Sequence, residues 1–223
     1  MHFETLAAVF EQSGIDPGRV YVSGGTALHS YLRALGREPA WRPIDVDLFI
    51  ESGARSFTDD MDALHDVLVR SFNCTRMSPT RVWASVSDAG EVDFIFSRHP
   101  GKTVATWVES FDFSVCKVYF PFSTWRDPAY MFADTAQRDI EGGYTRIAPE
   151  LFDLYIDSAA RANSSPYPKK KLLRLAKYVS RGFDVMRDKA YSRTMDRDQN
   201  KDWESNVDNM IVAALAAGQR AEE

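Results

Sequence analysis

The chain has 223 residues, a formal net charge of −5 and 44% hydrophobic residues, enough for one large domain or for a core with a smaller lobe. No apolar run is long enough to span a bilayer, and residues 1–4 lack the basic start and apolar core of a signal peptide. We therefore expect a cytoplasmic globular protein. The two cysteines, Cys74 and Cys116, have neither metal-binding nor disulfide spacing and are predicted to be reduced, buried thiols.

The first 36 residues predict a helix, a short strand and a second helix. Residues 2–13 carry apolar side chains at helical spacing, and Gly14 ends the pattern. Residues 20–23 are a short apolar strand, followed by Gly24-Gly25 and a helix that runs to Gly36. Free backbone N–H groups and the positive end of the dipole make such a helix start attractive to phosphate, although a Gly-Gly turn is also common as a purely structural turn.

Residues 44–50 predict the buried strand on which the chemistry depends. Apolar side chains alternate with two aspartates, so Asp45 and Asp47 project together from one face of the strand. Two carboxylates this close repel each other unless a proton or a cation lies between them. Mg²⁺ prefers carboxylate oxygens and is the simplest partner. The structural alternative is a solvated strand face or a helix cap.

Residues 81–86 and 91–96 predict a β-hairpin joined by a turn at residues 87–90. On the second strand Asp93 projects from the side opposite Val92 and Phe94. It supplies a third strand carboxylate, and three carboxylates are enough for a site with two metal ions.

Residues 111–120 are predicted to form a further strand that carries Asp112. This aspartate either pairs with Lys117 or Arg126, or joins the acidic site if Asp93 points away from Asp45 and Asp47. After a predicted helix that begins at Pro149, residues 169–181 predict a helix with a basic stripe, formed by Lys170, Arg174, Lys177 and Arg181.

The basic charge is concentrated around this helix. Residues 164–193 hold nine Lys and Arg against two Asp, a local charge of +7 in a chain whose total is −5. Such segregation suits a triphosphate or a nucleic-acid backbone, although an exposed amphipathic helix has the same composition.

The combination of these motifs resembles the nucleotidyltransferase superfamily with the DNA polymerase β-type fold. The pattern is Gly-Gly at a helix start, then Ile44-Asp45-Val46-Asp47-Leu48, then a lone Asp on a later strand. Its form is most similar to abortive-infection-type nucleotidyltransferases, and residues 111–117 and 177–183 resemble nucleotidyltransferase-like proteins of large viruses and phages. One departure is the nineteen residues between Gly25 and Asp45, which is longer than the usual spacing.

The resemblance implies an α/β (α+β) protein with a short mixed β-sheet and helices on one face, plus a helical C-terminal portion. Residues 1–148 would be the nucleotidyltransferase core and residues 149–223 the helical portion. The implied reaction transfers a nucleoside monophosphate from a nucleoside triphosphate to an acceptor hydroxyl, with Mg²⁺ or Mn²⁺ as cofactor. The expected catalytic and metal-binding residues are Asp45, Asp47 and Asp93, and the expected nucleotide-binding residues are Ser23, Gly24, Gly25, Thr26, Arg42, Lys170, Arg174 and Lys177.

Two alternatives remain open from the sequence. The chain could be a nucleotide-binding module that transfers nothing, or a nucleic-acid-binding protein that uses the basic helix 169–181 while its aspartates are structural. The acceptor, whether RNA, tRNA, a protein or a small molecule, is not predicted by any motif.

Overall fold

The computed structural model describes residues 3–99, 101–148, 151, 154–155, 166–186 and 203–219. Within α-helices, the side chains of residues 166–170, 203–204, 206 and 217–219 lie outside that description. The chain groups into two compact units, one formed by Met1–Phe111 and Cys116–Gln137 and the other by Asp112–Val115 and Arg138–Glu223. The predicted boundary between residues 148 and 149 falls inside the second unit.

The described elements are α-helices and short strands, with three 3₁₀ turns at Pro17–Arg19, Ser114–Cys116 and Phe122–Thr124. No helix in the described ranges is long and apolar enough to cross a membrane. The helices are α1 (Glu4–Ser13), α2 (Gly24–Ala34), α3 (Phe57–Ser71), α4 (Val104–Glu109), α5 (Ala136–Gly142), α6 (Pro166–Ser180) and α7 (Trp203–Gln219). The strands are β1 (Val20–Ser23), β2 (Asp45–Ile50), β3 (Asn73–Ser78), β4 (Arg81–Val86), β5 (Gly90–Phe96), β6 (Val118–Pro121), β7 (Met131–Phe132), β8 (Tyr144–Thr145) and β9 (Asp184–Val185).

The first unit is built on a mixed seven-stranded sheet with the order β3-β4-β5-β2-β1-β6-β7. Only the central β2–β5 pair in it is parallel. This arrangement confirms the predicted fold class, a mixed sheet combined with helices. The β4–β5 hairpin also forms as its turn residues predict, with Val86 paired to Gly90.

One face of this sheet is buried beneath helices. Alternate residues of β2, β4 and β5 are fully or almost fully buried there, because α1 and α3 pack over them; the ring of Phe10 in α1, for example, meets the ring of Phe94 edge to face at 6.1 Å. The buried strand residues of this face are Val46, Leu48, Ile50, Val82, Ala84, Val86, Val92, Phe94 and Phe96.

On the second face, α4 covers one end of β2. There α4 packs Val104 and Val108 against Phe49 of β2 and Tyr119 of β6, and Trp107 stacks on Phe49 at 4.7 Å. The aspartates of β2 and β5 are on this same face, at the other end of the strands, and they are only partly buried. The apolar cluster therefore covers one end of the face, and the partly exposed aspartates lie beside it.

Ionisation of two tyrosines in this apolar cluster should weaken the fold at alkaline pH. Burial, with Glu51 nearby, raises the pKa of both Tyr21 and Tyr119 above the usual value. Their stabilising effect is therefore fully present below about pH 10 and is lost as the pH rises through the higher folded-state pKa. We expect the melting temperature of the Tyr21→Phe/Tyr119→Phe variant to fall less than that of the wild type between about pH 9 and 11. Tyr144→Phe, at an exposed tyrosine, is the control. An equal fall in melting temperature for the wild type and both variants would contradict the prediction.

Asp60 forms a buried ion pair that anchors α3. Its side chain is 2% exposed, and its carboxylate lies 3.1 Å from the Arg19 guanidinium and 3.5 Å from that of Arg55. Asp59 and Asp60 both lie in the first turn of α3, where a carboxylate complements the helix dipole. Asp60 has a tertiary role as well, because the two arginines come from outside that helix.

Replacing Asp60 with Ala should destabilise the first unit by about 2–4 kcal/mol, because the Arg19 guanidinium loses its buried partner. The matched control is Asp62→Ala, which removes a carboxylate two residues away whose ion pair with Arg76 is exposed. We expect that change to cost less than about 1 kcal/mol. Urea unfolding of the two variants measures the difference, and equal midpoints would contradict the assignment.

The second unit has its own core. Tyr155 is fully buried against Phe113, and Leu172 and Leu175 of α6 are fully buried. The short strands β8 and β9 pair in parallel, and Arg146 forms an ion pair with buried Asp139 at 3.0 Å.

Three sequence predictions about elements were inaccurate. Ile44 is 76% exposed and precedes β2, so the strand begins at Asp45. Residues 111–120 are not one strand, because Ser114 bonds to the backbone of Arg146 and a 3₁₀ turn precedes β6. The basic helix begins at Pro166, three residues earlier than predicted. The helix predicted from Pro149 lies largely outside the described residues. Cys116 is buried as predicted, whereas Cys74 is half-buried, and neither cysteine forms a disulfide.

Candidate functional site

The aspartates of β2 and β5 lie side by side at the open end of the sheet. Asp47 pairs in register with Asp93 on the parallel neighbour β5 and with Ser23 on the antiparallel neighbour β1. Paired residues of adjacent strands point to the same face and are about 5 Å apart. The structure therefore places Ser23, Asp47 and Asp93 in one row across three strands, with Asp45 on the same face two residues before Asp47.

Gly24 brings the backbone at the start of α2 against the Asp47 carboxylate. Its φ is +65°, and a Cβ built on it would lie 2.5 Å from Oδ2 of Asp47. Only glycine fits this position, both for its backbone angle and for the space. The predicted glycine turn is thus confirmed as a sharp β1–α2 connection whose N–H groups begin α2 next to the acidic row.

Two polar side chains next to this turn have different situations. The Ser23 hydroxyl is completely buried and has no hydrogen-bond partner among the described residues. An unsatisfied buried hydroxyl costs about 1–3 kcal/mol, which marks Ser23 as a group that a bound ligand could satisfy. Thr26 instead donates its hydroxyl to the backbone carbonyl of Asp45 at 2.8 Å. That bond fixes the start of β2 to α2, so Thr26 positions the aspartates in this structure.

Arg81 of β4 engages the Asp93 carboxylate with two guanidinium nitrogens. Its Nε lies 3.2 Å from Oδ1, and its Nη2 donates a hydrogen bond to Oδ2. The Asp93 side chain is 14% exposed and Arg81 is 43% exposed. The positive charge of Arg81 offsets the negative charge of the row, and the pair occupies the oxygens with which Asp93 would otherwise bind a cation.

The residues of the row fit a hard divalent cation. Carboxylate oxygens are the ligands that Mg²⁺ and Mn²⁺ prefer, and Asp45, Asp47 and Asp93 present them on one face. The Gly24 cradle and the unsatisfied Ser23 hydroxyl border the same place. Within the described ranges, no group of three His, Cys, Asp or Glu side chains has a metal-holding arrangement. The Asp93 carboxylate is bonded to Arg81 in this structure.

Asp112 belongs to the second unit and has its own partners there. Its carboxylate accepts a hydrogen bond from the Tyr155 hydroxyl at 2.8 Å, and it lies 3.2 Å from Arg174 and 3.5 Å from Lys171. Neither Lys117 nor Arg126, the partners considered from the sequence, is among them; Lys117 lies 3.8 Å from Asp134. The third carboxylate next to Asp47 is therefore Asp93.

The predicted nucleotide-binding cations are described in part. Arg42 is exposed in the loop that precedes β2, and Arg174 is 65% exposed while it contacts Asp112. Lys177 is half-buried on α6, and the side chain of Lys170 lies outside the described residues. A role of these residues in binding a nucleotide stays a prediction.

Sequence reasoning missed two residues of the open face, Arg81 and Trp83. Trp83 of β4 pairs in register with Asp93, so its indole ring lies next to Asp93 in the same row. Arg81 lies two residues away on the same face. The hairpin sequence contains the signal that identifies Trp83. The turn at residues 87–90 pairs Val86 with Gly90, and counting three residues back along each strand from that pair places Trp83 opposite Asp93.

Comparisons with known proteins connect this geometry to a fold. No protein-family profile matches the chain, and no curated protein sequence matches it. Solved structures do match, and the chain spans about half their length. A tRNA-processing enzyme in its apo form matches with a TM-score of 0.56 and 15% identity, over 92% of this chain and 47% of that one.

Two further solved structures carry the same fold. A CCA-adding enzyme of Thermotoga maritima complexed with tRNA matches with a TM-score of 0.53 and 14% identity, over 93% of this chain and 43% of that one. A tRNA nucleotidyltransferase complexed with a primer tRNA and an incoming ATP analogue matches with a TM-score of 0.52 and 15% identity, over 91% and 50%. The chain therefore has the fold seen in the tRNA nucleotidyltransferases, as the sequence motifs indicated.

Proposed function

We propose that this protein is a nucleotidyltransferase that moves a nucleoside monophosphate from a nucleoside triphosphate to an acceptor hydroxyl. The observation that carries the proposal is the row of Ser23, Asp47 and Asp93 across three neighbouring strands, directly beside the glycine start of α2. A helix start next to two strand carboxylates combines a phosphate-binding element with a cation-binding element.

The chain's own residues supply binding and orientation. The backbone N–H groups of Gly24 and Gly25 would hold the outer phosphates at the N-terminus of α2, and the buried Ser23 hydroxyl would donate a hydrogen bond to one of them. Asp45, Asp47 and Asp93 would hold Mg²⁺ or Mn²⁺. Such cations, when bound, neutralise phosphate charge and lower the pKa of the acceptor hydroxyl.

The reaction exchanges one phosphorus–oxygen bond for another. The acceptor oxygen forms a bond to the α-phosphorus, the bond from that phosphorus to the oxygen bridging to the β-phosphate breaks, and pyrophosphate leaves with the electron pair. The hydroxyl proton passes to solvent. Attacking and leaving oxygens are roughly in line across the phosphorus. Residues that position these two groups must therefore lie on opposite sides of the α-phosphorus.

The partners belong to the proposal as well. Structures with this fold include complexes with tRNA, CTP and ATP, which supports a nucleoside triphosphate and RNA as ligands here. The cytoplasm, where both occur, is the location that we propose. The finer likeness to abortive-infection and large-virus proteins rests on the sequence motifs and stays a prediction.

The competing possibilities predict different assay results. A silent nucleotide-binding module has no need of three aspartates on one face of the sheet, so the position of Asp45, Asp47 and Asp93 on one face supports an enzyme. For a nucleic-acid-binding protein that depends on the basic helix, the affinity for RNA would fall steeply as the salt concentration rises, whether or not Asp45 and Asp47 are present. In α6, two of the basic side chains, Lys171 and Arg174, already contact Asp112, which reduces the charge available to a phosphate backbone.

The test incubates the purified protein with each α-³²P-labelled nucleoside triphosphate, Mg²⁺ or Mn²⁺, total RNA and protein extract. Label on a macromolecule with the wild type, and none with the Asp45→Ala/Asp47→Ala variant, is the expected result. It would also reveal the acceptor class. No label with any nucleotide, together with metal-independent nucleotide binding, would contradict the proposal.

A further inference from the structure

The open face of the sheet extends beyond the acidic row, onto β4 and β3. Trp83 pairs with Asp93 on one side and with Thr75 on the other, so all three side chains point to the same face. Thr75 is exposed, and Trp83 is half-buried with Arg81 and Ser85, also half-buried, as its neighbours on that face. The helix α3 packs on the opposite face of these strands, which leaves this part of the sheet uncovered by it.

Trp83 differs from the other tryptophans whose side chains are described. Trp41 contacts the His29 ring at 5.1 Å, Trp107 stacks on Phe49, and Trp125 contacts Phe3 at 5.8 Å. Trp83 has no aromatic partner within the described part of the chain. A partly exposed indole without such a partner presents a flat apolar surface, which suits stacking by a planar ligand.

The chemistry of the proposed reaction says which ligand would lie there. This step rests on the proposed function. The leaving pyrophosphate would be at the start of α2, on the β1 side of the carboxylates. The attacking oxygen must approach from the opposite side of the α-phosphorus. It would therefore come from the side of β5 and β4, where Asp93 and Trp83 lie.

We propose that Trp83 stacks the terminal base of a single-stranded RNA 3′ end, and that Arg81 contacts the phosphodiester that precedes it. Aromatic rings beside cationic side chains are the usual surface for single-stranded nucleic acid, because every base offers a π-face and every linkage a negative charge. The acceptor is then the terminal ribose hydroxyl of an RNA, whose oxygen forms the new bond to the α-phosphorus as pyrophosphate leaves. A protein side chain as acceptor would make no use of the indole.

The experiment measures initial rates of nucleotidyl transfer to a short single-stranded RNA while the RNA and the nucleoside triphosphate are varied separately. Trp83→Ala is expected to raise the KM for RNA about tenfold. The KM for the nucleoside triphosphate should stay within about twofold, because the indole lies on the acceptor side only. Trp83→Phe keeps an aromatic face and the fold, and it should fall between Trp83→Ala and the wild type.

Trp125→Ala is the matched control, since it removes another half-buried indole, one that contacts Phe3 near α1. It should behave as the wild type in both KM values. Equal KM values for RNA in the Trp83→Ala and Trp125→Ala variants would overturn the inference and leave the proposed function intact. Transfer by the wild type to protein or small molecules only would do the same. Absence of transfer to any acceptor would contradict the proposed function, and the inference with it.

Discussion

Replacing Asp47 with Asn should lower the rate of nucleotidyl transfer by about a thousandfold while the protein stays folded. Asp47 is the centre of the row, paired with Ser23 on one side and Asp93 on the other. A neutral amide of nearly the same shape removes the charge that a cation needs. A cation contributes several kcal/mol of charge stabilisation, which corresponds to a factor of this size.

The stability of this variant separates chemistry from folding. Adjacent like charges on a strand pair destabilise a sheet, so removing one of them should leave the melting temperature within a few degrees of the wild type. Asp62→Asn is the control, because its carboxylate is exposed on α3 and pairs with Arg76. We expect full activity from that control. Wild-type transfer rates in the Asp47→Asn protein would contradict a catalytic role for this carboxylate. Failure of that protein to fold would show that the carboxylate is structural.

The second large effect is expected at Gly24. Substitution by Ala puts an L-residue at a φ of +65° and places its Cβ 2.5 Å from the Asp47 carboxylate. The backbone angle alone costs about 1–2 kcal/mol. The contact must in addition move either the start of α2 or the Asp47 side chain, so we expect transfer to fall at least about a hundredfold, because displacing a reacting group by about 1 Å has that effect.

Gly90 provides a control that isolates the backbone cost. Its φ is +79°, but no atom lies within 4 Å of a Cβ built there. Gly90→Ala should therefore be destabilised by about 1–2 kcal/mol and keep its activity. Thermal unfolding and the label-transfer assay distinguish the two variants. Equal activity in Gly24→Ala and Gly90→Ala would contradict the close approach of Gly24 to the acidic row.

The parts of the fold that follow from periodicity could be predicted from the sequence. Alternation in residues 45–50 places the two aspartates on one face, and the turn at residues 87–90 fixes the hairpin register that pairs Asp93 with Trp83. The helix after Gly24-Gly25 likewise follows from local turn chemistry. These are short-range patterns, set by neighbouring residues.

The parts that depend on long-range pairing could not be predicted. Nothing local places β5 next to β2 in parallel, although this pairing is what unites Asp47 with Asp93. The ion pair between Arg81 and Asp93 depends on which charges meet across the hairpin, and the partners of Asp112 come from residues 43, 59 and 62 positions away in the chain. Residues 111–120 are largely apolar and so resemble one strand. In the structure residues 112–115 belong to the second unit and residues 116–120 to the first, where β6 begins at Val118.

A crystal structure with Mn²⁺ and a non-hydrolysable nucleoside triphosphate analogue tests the central claim most directly. The proposed site predicts anomalous density about 2 Å from carboxylate oxygens of Asp47 and Asp93, with the outer phosphates against the start of α2. Arg81 would then no longer bond to both oxygens of Asp93. Mn²⁺ and nucleotide bound elsewhere, with the Arg81–Asp93 pair intact, would contradict the assignment of this row as the catalytic centre.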